Sequence, residues 1–304
     1  MEDLKRRDFI KKSIKLIGSV TFLNSTGWTF ADKNRFSLSL AQWSLHRSLM
    51  SGKLDNLDFV KISKEKFDIN AVEYVNTFFF KKAKNKSYLK EMKNRSNDFG
   101  VKNLLIMCDN EGRLGDSNAK KRKKAIENHF KWVEAANFLG CNTIRVNASS
   151  EGSWDEQKKL VVDGLSRLVE FAKDYSINVV VENHGGLSSN GKWLSEVISN
   201  VEDDFCGTLP DFGNFKIQTD ENNKEIIYDR YKGVKELIPY AKAVSAKSYD
   251  FDENGDETTI DFYKMIEIVK SSKYKGYIGI EYEGDRLSEY DGILETKKLL
   301  EKLI

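Results

Sequence analysis

The chain has 304 residues, 40% hydrophobic and 32% charged, with a formal net charge of +2. That length suffices for one large core, and the composition is that of an ordinary globular protein. Residues 1–31 hold six Lys/Arg against three acids, leaving 43 basic and 44 acidic residues, so no basic surface is expected to attract nucleic acid or an anionic membrane.

The chain opens with Lys5-Arg6-Arg7-Asp8-Phe9-Ile10-Lys11, followed by a mildly apolar stretch from Ile14 to Phe30. The paired arginines, the variable residue, Phe, aliphatic residue and Lys resemble a twin-arginine export signal. Lys15, Gly18, Ser19, Asn24 and Ser25 interrupt the apolar part and make it too polar for a stable membrane span. Thr29-Phe30-Ala31 supplies a small-x-small cleavage site. Residues 1–31 are therefore read as a signal peptide and 32–304 as the folded domain. The resemblance implies a periplasmic or otherwise exported protein. The alternative is a retained basic helix on a cytoplasmic protein.

From Phe36 the chain alternates between short apolar runs and amphipathic stretches. Strands are predicted at Phe36–Trp43, Ile69–Val75, Val101–Cys108, Cys141–Asn147, Ile177–Asn183, Phe205–Asp211, Ala241–Lys247 and Tyr277–Glu283. Continuous runs of this length read as strands buried on both faces of a parallel sheet. The clearest helices are Lys120–Leu139 and Asp155–Tyr175, with Gly100 and Gly140 placed as C-terminal caps. Eight strand–helix units without a linker predict a single-domain α/β fold, a (β/α)8 barrel. A doubly wound sheet would carry a Gly-rich turn after its first strand, and Gln42-Trp43-Ser44-Leu45-His46 has none. Cys108, Cys141 and Cys206 show no metal-ligand spacing and are read as core residues. His129 is placed on the polar, solvated side of its helix. Lys120-Lys121-Arg122-Lys123-Lys124 is read as a solvated helix face.

In a barrel the site lies at the C-terminal strand ends. Those ends supply Gln42 and His46, Glu73 and Asn76, Asp109 and Glu111, Arg145 and Asn147, Glu182 and His184, Asp211 and Asn214, Ser245, Lys247 and Tyr249, then Glu281 and Glu283. Acids ending buried strands are costly unless paired, hydrogen-bonded or bound to a cation. Such a rim suits a divalent ion with oxygen ligands, while ion pairing of Glu182, Asp211 and Glu281 with Arg145 and Lys247 is the structural alternative. Trp43, Trp154 and Trp193 are candidates to stack on a sugar ring.

Glu182-Asn183-His184-Gly185-Gly186, Leu209-Pro210-Asp211-Phe212-Gly213-Asn214, Val244-Ser245-Ala246-Lys247 and Ile280-Glu281-Tyr282-Glu283-Gly284 resemble the sugar phosphate isomerase/epimerase family of xylose isomerase-like barrels. The resemblance implies a divalent metal (Mn, Mg, Co or Zn) held by Glu182, Asp211 and Glu281, with the two glutamates as acid and base. It departs on strand seven, where the family's His is Ser245, so a substitute ligand is expected from His184, Tyr249, Glu283 or water, with His184 placed in the metal set, and a weakened or lost metal is the alternative. Lys247 is expected as a catalytic cation beside substrate oxygens. Trp43, His46, Glu73, Arg145, Asn147, Asn214, Tyr249 and Glu283 are expected to contact substrate.

The function implied is a metal-assisted carbohydrate isomerase or epimerase working by proton abstraction beside a carbonyl. Export and the lack of a phosphate cradle favour an unphosphorylated sugar or glycoside. The alternatives are a lyase or hydratase acting on 3-keto-glycosides, and a non-catalytic carbohydrate-binding barrel. A small-molecule carbohydrate is the expected partner, and the sequence is compatible with a homo-oligomer. Three His in the whole chain do not supply the zinc cluster of an abasic-site endonuclease.

Overall fold

The eight apolar runs form eight parallel strands in a computed structural model that describes residues 35–304. They are β1 (Phe36–Ala41), β2 (Ala71–Val75), β3 (Lys102–Met107), β4 (Thr143–Val146), β5 (Asn178–Glu182), β6 (Cys206–Leu209), β7 (Val244–Ser248) and β8 (Gly276–Tyr282). The stretch read as an export signal lies outside the described residues. Sheet order runs from β6 back to β1, then to β8 and β7. Parallel bridges Thr208–Ala241 and Asp211–Ser245 join β6 to β7 and close the ring. The fold is a (β/α)8 barrel.

A helix follows each strand: α1 (Phe59–Phe67), α2 (Lys86–Asp98), α3 (Ala119–Leu139), α4 (Trp154–Lys173), α5 (Gly191–Val201), α6 (Arg230–Leu237), α7 (Phe262–Ser271) and α8 (Glu289–Leu303). Local chemistry sets their ends. The Asn118 side chain accepts from the Lys120 and Lys121 amides at the start of α3, and α3 stops at Gly140 in the left-handed region (φ 80°). Ser153 and Glu156 form a reciprocal capping box at the start of α4. Gly100 likewise takes a positive φ just after α2.

Side-chain alternation along the strands separates two apolar layers. Leu40, Val72, Ile106, Ile144, Val179, Val244 and Ile278 join the large core shared with the helices. Ala41, Val75, Leu105, Met107, Val180, Leu209 and Ala243 cluster separately as the filling of the barrel. The inward side chains two positions beyond Val180 and Leu209 are Glu182 and Asp211, and Ser245 and Lys247 follow Ala243 at the same period. The lumen therefore turns from apolar to charged toward the C-terminal strand ends.

Two expectations are corrected. His129 is buried, not solvated, with Nδ1 2.7 Å from the Ala125 carbonyl oxygen. The loop after β3 covers that flank of α3, as Asn128 Nδ2 donates to the Glu111 carbonyl (3.0 Å) and Trp132 Nε1 to its carboxylate (2.5 Å). An antiparallel hairpin, Lys216–Thr219 with Glu225–Ile227, was not predicted and occupies the loop after β6. Its strands are short and largely exposed, so they carry no hydrophobic period. The three cysteines are free and buried, as expected. Among the described residues, no helix is long and apolar enough to cross a membrane.

Candidate active site

Lys247, near the end of β7, is buried among acids from two neighbouring strands. Its Nζ lies 3.2 Å from Glu281 Oε1, 3.1 Å from Glu283 Oε2 and 3.9 Å from Asp211 Oδ2. It also donates to Asn214 Oδ1 at 3.1 Å. Burial disfavours the ammonium, but Asp211, Glu281 and Glu283 together hold it well above the ordinary lysine range. One turn of the pleat below, Ser245 Oγ lies 2.8 Å from Asp211 Oδ2 and 2.9 Å from Glu281 Oε2. The other oxygen of Asp211 accepts the backbone N–H groups of Gly213 (2.8 Å) and Asn214 (2.7 Å). A Cβ on Gly213 would stand 2.5 Å from the Tyr249 hydroxyl and 2.8 Å from Lys247 Cδ, so glycine lets this turn close on the lysine stem.

A second cation, Arg145 on β4, faces the first group. Its Nη1 donates to Asp109 Oδ1 at 2.7 Å, and its Nε stands 2.8 Å from Glu182 Oε2. The second contact is a charge pairing off hydrogen-bond alignment, because neither atom has a hydrogen-bond partner. Asn214 Nδ2 donates to the other Glu182 oxygen at 2.9 Å, linking the two groups. Burial pushes the Glu182 carboxyl up to about 7 against the pull of Arg145. Burial also raises Asp211 to about 7 despite Lys247. Burial opposes the charge on Glu281 too, yet Lys247, Ser245 and Arg145 bring it below the usual carboxylate range. The glutamates on β5 and β8 thus differ in proton affinity, the condition for one acid and one base in a shared site.

Of these groups, Asp109, Arg145, Glu182, Lys247, Glu281 and Glu283 line a cavity of about 450 Å³ with Trp43, Val75, Thr77, Met107, Asn147 and His184, and Asp211, Ser245 and Asn214 stand behind them. Trp43 donates through Nε1 to Glu283 Oε1 and stacks on His46, with ring centroids 5.0 Å apart. An apolar wall opposite a polar, hydrogen-bonding floor is the make-up of a small-molecule site. A family model for the xylose isomerase-like TIM barrel matches residues 64–303. The chain belongs to that family. An uncharacterized protein of Methanocaldococcus jannaschii is 25% identical over 256 residues, 78% of this chain and 85% of that protein. The IolI protein with a bound zinc atom superposes with a TM-score of 0.66 at 15% identity, covering 88% of this chain and 97% of that one. The apo form of 3-keto-D-glucoside 4-epimerase from E. coli gives 0.65 at 15% identity, covering 88% and 99%.

Within this xylose isomerase-like barrel, the structure brings Trp43, Arg145, Asn147, Glu182, Asn214, Asp211, Lys247, Glu281 and Glu283 together. Asp109, noted in the sequence only as a strand-end acid, joins them by fixing both Arg145 and Asn147 (2.7 and 2.8 Å). Val75 and Met107 were not singled out, although their inward parity follows from Glu73 and Leu105 two residues earlier. Glu73 does not reach this cavity. It lies deeper in the lumen, accepts from Ser39 Oγ at 2.6 Å, and borders a separate cavity of about 230 Å³ at the N-terminal strand ends. His46 stands behind Trp43, its Nδ1 2.7 Å from the Trp43 carbonyl oxygen. Tyr249 packs over Gly213 beside the lysine. Trp193 is buried and donates to the Trp154 carbonyl at 3.1 Å, so neither tryptophan faces the cavity.

The donor set is a poor match to a divalent ion in this arrangement. Glu182 is turned to Arg145 and Asn214, whereas Asp211 and Glu281 share the Ser245 hydroxyl and the Lys247 ammonium. His184 lines the cavity from the rim with an exposed side chain, and it is the backbone N–H that is held, by Ser188 Oγ at 3.0 Å. Among the described residues, no three His, Cys, Asp or Glu side chains converge as metal ligands. A metal ligated by Glu182, Asp211, Glu281 and His184, expected from the sequence, therefore has no preformed cradle here.

Proposed function

We propose that this barrel is a carbohydrate isomerase or epimerase that moves a proton on the carbon next to a carbonyl. The observation that carries this reading is the pair of buried glutamates reaching one cavity from β5 and β8, with a cation at each. One glutamate, as carboxylate, removes the C–H proton. The bonding pair becomes the C=C bond of an enediolate, and the carbonyl π electrons move to oxygen beside Lys247. The other glutamate, as carboxylic acid, returns a proton to carbon. The divergent proton affinities of Glu182 and Glu281 suit these two roles.

The cavity offers Arg145 and Lys247 as cations, but both are committed to acids, and no Gly-rich phosphate cradle lines it. An unphosphorylated keto sugar or keto-glycoside fits better. The E. coli neighbour that epimerises a 3-keto-glucoside supports that class. The export-like opening supports it too, since a secreted enzyme meets few sugar phosphates.

The test is solvent-deuterium incorporation into free ketohexoses and a methyl 3-keto-glucoside. Wild type is expected to label one of them. Glu182→Gln and Glu281→Gln are each expected to lower the rate by about 100-fold or more while keeping the melting temperature within a few degrees. Near-wild-type labelling by either variant would sink the two-glutamate scheme.

A further inference from the structure

Lys247 places a positive charge among the acids of this xylose isomerase-like site. Ser245 stands where a nitrogen ligand is expected, and its hydroxyl fills the gap between Asp211 Oδ2 and Glu281 Oε2 at 2.8 and 2.9 Å. Directly above, the Lys247 ammonium lies within 4 Å of Asp211, Glu281 and Glu283. A divalent ion among the same oxygens would sit against a buried positive charge. Repulsion at that distance in a poorly screened interior is severe. Glu182, which would have to swing toward such an ion, is drawn instead to Arg145 at 2.8 Å. The neutral serine and the nearby lysine thus work in the same direction: one removes a ligand and the other supplies the charge.

We propose that this barrel works without a divalent ion, with the Lys247 ammonium as the electrophile for the substrate carbonyl; this rests on the enolisation reading above. Lys247 donates a hydrogen bond to Asn214 and stands in charge contact with Glu281 and Glu283 at 3.2 and 3.1 Å. Glu283 is the most exposed of its carboxylate partners, at 25% against 6% for Glu281. A substrate oxygen entering from the cavity displaces that contact and accepts the N–H in its place. As the C–H proton leaves, the oxygen gains negative charge and the hydrogen bond to the ammonium strengthens. This is stabilisation specific to the transition state. Glu281, held ionised by the same lysine, stays beside the reacting carbon.

The full chain, treated with EDTA and desalted, is titrated with Co²⁺ and Mn²⁺ by calorimetry and by the visible absorption of Co²⁺, with melting temperature as a second readout. Wild type is expected to bind neither ion stoichiometrically and to show no rise in melting temperature. Deuterium labelling of the methyl 3-keto-glucoside or a ketohexose is expected to change less than about twofold between EDTA and added Mn²⁺. Lys247→Gln is expected to lose about 100-fold in labelling. Ser245→His with Lys247→Gln is expected to gain one equivalent of Co²⁺, which shows that the variant is folded and that Ser245 and Lys247 together had excluded the ion, whereas Ser245→His alone is expected to bind Co²⁺ at least about tenfold more weakly. One equivalent of Co²⁺ on wild type, or labelling lost in EDTA and restored by Mn²⁺, overturns metal independence. Absence of labelling under every condition refutes the enolisation reading and the electrophile role with it, whereas the metal titration judges metal independence alone.

Discussion

Glu73 shows what a single buried carboxyl does when the site does not use it. It is 1% exposed, one oxygen accepts from Ser39, and the other has no hydrogen-bond partner. Burial pushes it from an ordinary 4.5 up to about 7. The unfolded chain releases this proton near 4.5, whereas the folded chain keeps it until about 7. Between those values the folded state binds the extra proton, so stability falls as pH rises through the window and levels off above it. Glu73→Gln keeps an acceptor for Ser39 and removes the ionisation. It is expected to be more stable than wild type at pH 8 by up to about 3 kcal/mol, with the gap closing toward pH 5 in urea titrations. A pH-independent difference would mean that Glu73 stays ionised in the folded protein. The sequence marked Glu73 as a strand-end acid like Glu182 and Asp211, because burial depth along a lumen leaves no trace in residue type. The acids of β5, β6 and β8 were legible because each is the last inward residue of an apolar run. Pairing of these acids with Arg145 and Lys247 was legible as the structural alternative, and both cations are so engaged; which cation takes which acid was not, since that depends on which strands the closed ring brings together.

At the scale of elements, the strands were legible from continuous apolar runs, α3 from its period and its Gly140 cap, and α4 from its period. Close approaches between elements were not. Gly164, in the middle of α4, reads in sequence as a weak point where alanine would favour the helix by about 1 kcal/mol. In the structure a Cβ there would meet the Leu114 carbonyl oxygen at 2.0 Å. Gly164→Ala is therefore expected to destabilise the protein, lowering the melting temperature by several degrees, because the loop after β3 must move off α4. A melting temperature equal to or above wild type would show that the loop yields freely. The hairpin after β6 illustrates the same limit: Ile217, Thr219, Ile226 and Ile227 favour strands, but the segments are short and exposed and show no alternation to mark them.

For the whole molecule, the barrel begins at β1 and leaves the basic opening of the chain outside the described residues. We propose that Arg6 and Arg7 direct export of the folded protein. Replacing both with Lys is expected to leave the protein in the cytoplasmic fraction of an expressing bacterium, and unchanged recovery outside the cytoplasm would argue against the twin-arginine reading. Such a route carries folded cargo, so a site complete within the chain crosses the membrane ready to act. The ring is uneven where β6 meets β7. Around most of its circumference neighbouring strands share ladders of several residues, whereas β6 and β7 meet only through the isolated bridges Thr208–Ala241 and Asp211–Ser245. One of those two bridges is formed by site residues, reinforced by the Phe212 N–H on the Ser245 carbonyl (3.1 Å) and the Ser245 N–H on the Pro210 carbonyl (3.0 Å). Ser245 thus serves as a clasp in two senses, its backbone fastening the cylinder and its hydroxyl fastening two carboxylates. The join that closes the cylinder therefore also holds the acid cluster, so a change that parted β6 from β7 would shift the site's proton affinities with it.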